Sequence, residues 1–191
     1  MHIFYLKKGD LHMKKISLIF TFIFLTGLFS GLFFSMNLSE ENCTALSSVL
    51  LSGLDSPSSG FFRTFITSIA ANLAAVLIML PAVFLRPLCI LPPAILWFRS
   101  FATGFCCGLI FLNAGSHAFV LSSIKILPQN LLLIPGFFLM SATLFCISKD
   151  QVIRKSRLSA ERKNLLRIFI ISLGLIIAGS LIQGLCHSAV L

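Results

Sequence analysis

The side chains able to do chemistry in this chain are few, and they stand among apolar neighbours. Arg99 lies within WFRSFATGFCCGLIF, and two adjacent amides, Gln129 and Asn130, open the segment LPQNLLLIPGFFLMSATLF. An unpaired amide buried in hydrocarbon costs about 2 to 7 kcal/mol, and an arginine near the centre of a membrane span costs about 2.5 to 3.5 kcal/mol, so each of these groups needs a partner. The six acidic residues, Asp10, Glu40, Glu41, Asp55, Asp150 and Glu161, all fall outside the long apolar runs. The partners of Arg99 are therefore amides, carbonyls, water, lipid phosphate or an acid on another chain, and within this chain the candidates are Asn72, Gln129, Asn130 and Gln183. Carboxylate-based proton or sodium relays are disfavoured on the same ground.

Catalytic patterns are missing from the sequence. His2, His12, His117 and His187 lie at termini or at the ends of apolar runs, with no H-E-x-x-H, and there is no G-x-S-x-G, Walker motif or pair of carboxylates. Neither an enzyme activity nor a metal or cofactor is expected. Six cysteines show no C-x-x-C spacing; Cys89, Cys106, Cys107 and Cys146 read as small packing residues, while Cys43 and Cys186 fall on one side of the membrane and are able to pair if oxidised.

The elements that must position these residues are membrane helices. With 57% hydrophobic and 11% charged residues, twenty Phe and a mean hydropathy of +0.99, the 191-residue chain lies far from soluble domains, which carry about 25% charged residues. The expected fold class is all-α, a polytopic helical bundle forming one integral membrane domain over 1–191. Five spans are expected over about 16–36, 61–85, 88–112, 129–147 and 165–185. A short interfacial or re-entrant helix precedes the fourth span over 118–127 and ends at Pro128. Pro135-Gly136 is expected to kink the fourth span or leave backbone groups seeking partners. The third span admits two registers: Leu88 to Leu112, with Arg99 near the centre, or a start near Trp97, with Arg99 at the interface.

Charge orients the bundle. Lys7, Lys8, Lys14 and Lys15 precede the first span, and Lys149 to Lys163 holds six Lys or Arg against Asp150 and Glu161. Both segments face the cytoplasm by the positive-inside rule, with the N terminus in and the C terminus out. The polar, Ser-rich connection Asn37 to Gly60 has no Lys or Arg and faces outward. The net charge of +9 is then mostly topology, with some attraction to anionic membrane lipids and no nucleic-acid partner. Small residues recur four apart at Gly27 and Gly31, Ala70 and Ala74, Gly104 and Gly108, and Gly174 and Ala178, which suits close helix packing within the bundle or against a second copy in a homo-oligomer. Gln129 and Asn130 are expected at the outer start of the fourth span, capping the helix or receiving Arg99.

Taken together, Leu127-Pro128-Gln129-Asn130-Leu131, the following Pro135 and the basic residue then glycines of WFRSFATGFCCGLIF resemble the stage II sporulation protein M family of bacterial membrane proteins. The resemblance is close over Phe98 to Ser148 and looser over Phe61 to Leu191. It implies a multi-pass protein of the cell membrane that acts in endospore formation. The implied role is a non-catalytic scaffold of the engulfment machinery, localising a peptidoglycan-degrading lytic transglycosylase and a second, bitopic hydrolase at the septal membrane. Family members often carry an acid near the end of the last span; the matching position here is Gln183, so an amide contact stands where an ion pair with the basic residue of the third span is implied. The outward segments Asn37 to Gly60 and Asn113 to Pro128 are the expected docking surfaces. A different class of function, a small membrane subunit of an exporter or permease, follows if a broken segment at Pro128 to Asn130 lines a substrate path.

Overall fold

The computed structural model describes the backbone of residues 2–55, 61–113, 115–150 and 160–189, and the side chains of residues 15–50, 52, 61–85, 87–112, 129–148 and 164–186. Among the described residues all regular structure is helical. The elements are α1 His2–Met36, α2 Glu40–Asp55, α3 Phe61–Met79, α4 Leu91–Asn113, α5 Gly115–Asp150 and α6 Ala160–Ala189, with two 3-10 helices, Leu80–Val83 and Arg86–Ile90, between α3 and α4. Five segments are long and apolar enough to cross a membrane: Lys15–Met36, Phe61–Val83, Pro87–Leu112, Gln129–Ser148 and Asn164–Cys186. Apolar chains in lipid close all their backbone hydrogen bonds within themselves, which is why the apolar runs are helices.

Two expectations change. The short helix over 118–127 is not a separate element, because α5 is one helix through Pro128 and Pro135. Pro135, inside the span, removes one backbone donor, but a break there would leave several groups bare in lipid, so the helix continues; it also runs through Pro128 at the edge of the span. The polar connection after the first span is also largely helical: α2 starts on Glu40 and Glu41, acids that suit the positive end of a helix. Its Cys43 and Ser47, one turn apart, turn inward while Leu46 and Val49 are exposed. Cys43 and Cys186, able to pair if oxidised, are not joined to each other. The middle of the basic segment Lys149 to Lys163, residues 151–159, lies outside the described residues.

Close approaches between helices follow the glycines. On the α1–α4 seam a Cβ on Gly31 would lie 2.1 Å from the Phe101 carbonyl oxygen, and one on Gly104 would lie 2.1 Å from that of Leu28. Gly27 faces Trp97 and Ser100, and Gly108 faces Ser35. Residue numbers rise together along both helices, so α1 and α4 run parallel with backbones in near contact. Gly136 faces Leu175 and Ile176 while Gly179 faces Leu133, and Gly184 faces Phe61 and Phe65; α6 is thus antiparallel to both α5 and α3. The other two small-residue pairs do not pack this way. Ala70, Ala74 and Gly174 are exposed, and a Cβ on Gly174 would meet nothing within 4 Å.

The core lies where α1, α3, α4, α5 and α6 converge, on Phe20, Met79, Leu96, Phe137, Met140, Leu144 and Ile176. Phe20 of α1 meets Phe138 and Phe145 of α5 edge-on, with ring centroids 6.3 and 5.6 Å apart. Large apolar side chains such as Phe22, Phe29, Phe33, Leu77, Phe111, Ile170 and Ile171 point outward, as lipid-facing residues do.

Candidate functional site

Arg99 stands at the middle of the candidate span Pro87–Leu112, and its side chain is partly buried against the neighbouring helices. The helical period explains what it faces: Leu96, Ser100 and Thr103 share its side of α4, turned towards α5. The guanidinium Nη2 donates to the Asn72 Oδ1 of α3, and the guanidinium carbon stands 4.1 Å from the Phe137 ring centroid on α5. A cation over an aromatic face in a dry site gains about 2 kcal/mol, and a hydrogen bond between membrane helices up to about 1.7 kcal/mol. Together these offset about 2.5 to 3.5 kcal/mol of insertion cost, so the site is held near balance.

Asn72 is the hub of a neutral network. It is 2% exposed, and its Nδ2 donates to Ser180 Oγ of α6 at 2.8 Å and more distantly to Ser68 Oγ at 3.4 Å, while its oxygen receives Arg99. An amide has two donors and one accepting oxygen, and here all are used. Ser180 Oγ donates to the Ile176 carbonyl oxygen at 3.0 Å, and Ser68 Oγ donates to Gln183 Oε1. The path therefore runs Arg99, Asn72, Ser68, Gln183 and ties α3, α4 and α6 together. Asn72 and Gln183 are both in the network, as their types require, but Gln183 reaches Arg99 only through Asn72 and Ser68. The implied direct amide contact is a relay.

The two amides that open the fourth span separate. Both lie well inside α5, whose first turn is at Gly115, so neither caps a helix end. Successive residues on a helix point about 100° apart, and the two face different neighbours. Asn130 lines a cleft with Arg99, Ser100, Thr103, Leu133 and Phe24, so it shares the arginine's environment without being its hydrogen-bond partner. The Gln129 backbone carbonyl oxygen lies on α6 at Gly179, and its Oε1 is buried without a hydrogen-bond partner among the described residues. Leu127 and Pro128 belong to the helical backbone of α5, and their side chains lie outside the described residues. Pro135 is exposed, next to the Gly136 that admits α6. Gly104 and Gly108 serve the α1–α4 crossing directly behind the arginine.

Ser68, Ser180 and Phe137 had not been singled out from sequence. A signal existed for two of them: Ser68 precedes Asn72 by four residues and Ser180 precedes Gln183 by three, each a polar pair on one face of an apolar helix. Phe137 is one of twenty phenylalanines and carries no mark of its own.

Five apolar helices around a neutral polar network with one arginine at mid-depth define a polytopic helical membrane protein. The family model described as stage II sporulation protein M matches residues 20–186. The chain belongs to that family and is a sporulation-related, multi-pass membrane protein. No curated protein and no solved structure matches it.

Proposed function

We propose that the chain is a non-catalytic scaffold of the engulfment machinery in the cell membrane. It holds a peptidoglycan-degrading lytic transglycosylase and a second, bitopic hydrolase at the septal membrane. The observation that carries this reading is membership of the sporulation family over residues 20–186. The sequence agrees with it, for it has no hydrolase motif and no carboxylate in its spans, so the chemistry of wall cleavage belongs to partners. The outward helix α2, with exposed Leu46 and Val49 and the acids Glu40 and Glu41, is the docking surface on the extracytoplasmic side.

The permease reading loses its support, because it needed non-helical backbone at Pro128 to Asn130 and α5 is continuous there. Affinity purification of the membrane complex from sporulating cells tests the choice. A wall hydrolase recovered with the chain is the expected result; an ATPase in its place contradicts it.

A further inference from the structure

The connection between α3 and α4 is apolar and exposed. Over residues 80–93, LPAVFLRPLCILPP, only Arg86 and Cys89 have side chains that are not hydrocarbon, and Arg86 is the one charge between Arg63 and Arg99. Phe84 is 79%, Leu85 54% and Ile90 68% exposed, with Pro81 and Pro87 exposed beside them. An apolar patch of this kind is costly to leave in water. Much of the backbone is satisfied within the turn: the Phe84 and Leu85 N–H groups donate to the Pro81 carbonyl oxygen and the Leu88 N–H to that of Leu85, each at 3.0 Å. Its depth follows from its neighbours. Ser141 Oγ of α5 meets Met79 Sδ at 3.9 Å, and the apolar span of α5 runs on to Ser148, about 10 Å further, roughly as far as the 3-10 helix Leu80–Val83 reaches. From Arg99 at the middle of its span, Ile90 lies about 14 Å away and Pro87 about 20 Å away, on either side of the roughly 15 Å half-thickness of the hydrocarbon.

From these observations we infer that the α3–α4 turn binds an anionic phospholipid of the leaflet it faces, with acyl chains against Phe84, Leu85 and Ile90 and the phosphate at Arg86. Charge and depth identify the occupant. Arg86 stands between two exposed residues, Leu85 and Pro87, at the level of the headgroups, where a guanidinium suits a phosphate. Leu77 and Ile78, exposed on α3 next to the turn, continue the same apolar surface into the leaflet. This end of the bundle has an excess of basic residues over the acids Asp10, Asp150 and Glu161, so the acids do not neutralise it, and a single cation near an anionic membrane surface is worth about 1 kcal/mol. A second copy of the turn would set Arg86 against Arg86, and a soluble protein would have to reach below the headgroups to cover Ile90. The lipid contact is independent of the scaffold reading.

Phe84→Trp in the full chain, with Trp97→Phe so that a single indole remains, reports on the turn by fluorescence quenching in vesicles of phosphatidylcholine with a minority of phosphatidylglycerol. Bromine is carried on the acyl chains of the phosphatidylglycerol or of an equal amount of the phosphatidylcholine, so the membrane is otherwise the same. Quenching is expected to be at least about twofold stronger from the phosphatidylglycerol, within the roughly fivefold that one cation near the surface supplies. With Arg86→Gln the two lipids are expected to quench equally, and continued quenching by the phosphatidylcholine shows that the turn is still in the membrane. The preference is expected to survive Arg86→Lys, which keeps the charge, and Arg63→Gln at the far end of α3. An indole that neither lipid quenches places the turn in water and overturns the inference. Equal quenching with Arg86 in place, a preference indifferent to Arg86→Gln, or one lost with Arg86→Lys overturns it as well.

Discussion

At the scale of single residues, Arg99 and Asn72 are coupled. Asn72→Leu strips Arg99 of its acceptor and leaves Ser68 and Ser180 without the amide, a loss of about 1 to 3 kcal/mol. Arg99→Leu removes the insertion cost along with the bond and the Phe137 contact, so its net effect is within about 1.5 kcal/mol. In the double variant no charge is left to satisfy, and its loss is expected to fall short of the sum by at least about 1 kcal/mol. Unfolding of detergent-solubilised protein measures all three, and additivity within about 0.5 kcal/mol contradicts the coupling. Sequence alone supplied both partners by type, since an arginine among apolar residues must find an amide when no acid is at hand. It did not say which amide, because that depends on how α3 and α4 rotate about their axes.

At the scale of elements, glycines decide where helices touch. Gly31→Ala drives a Cβ against the Phe101 carbonyl oxygen and is expected to cost at least about 2 kcal/mol as overpacking. Gly174→Ala meets open space and is expected to stabilise α6 by up to about 1 kcal/mol. Thermal unfolding of the two variants side by side checks the contrast, and equal behaviour contradicts the α1–α4 crossing. Both glycines belong to small-residue pairs with the same spacing, so the pattern marks places where close approach is permitted without saying which are used. The prolines misled in the opposite direction. Pro128 reads as a stop, yet α5 runs through it, and through Pro135, where lipid penalises a broken backbone.

For the molecule as a whole, apolar length and charge asymmetry were sufficient to find the five spans, because a membrane imposes both. By the positive-inside rule α2 is expected outside and the basic segment inside. Ser52→Cys, in a chain with its six native cysteines replaced, is expected to react with an impermeant maleimide in intact cells, while Arg157→Cys reacts only after permeabilisation; the reverse pattern inverts the orientation. What the bundle holds in the cell is set by surfaces whose meaning lies in partners, so it is less legible in one chain than the bundle itself. A fluorescent fusion of the full chain, followed through starvation, tests the scaffold most directly. It is expected to gather at the septum and move with the engulfing membrane, whereas uniform staining of the membrane throughout, with engulfment unaffected when the chain is deleted, would contradict it.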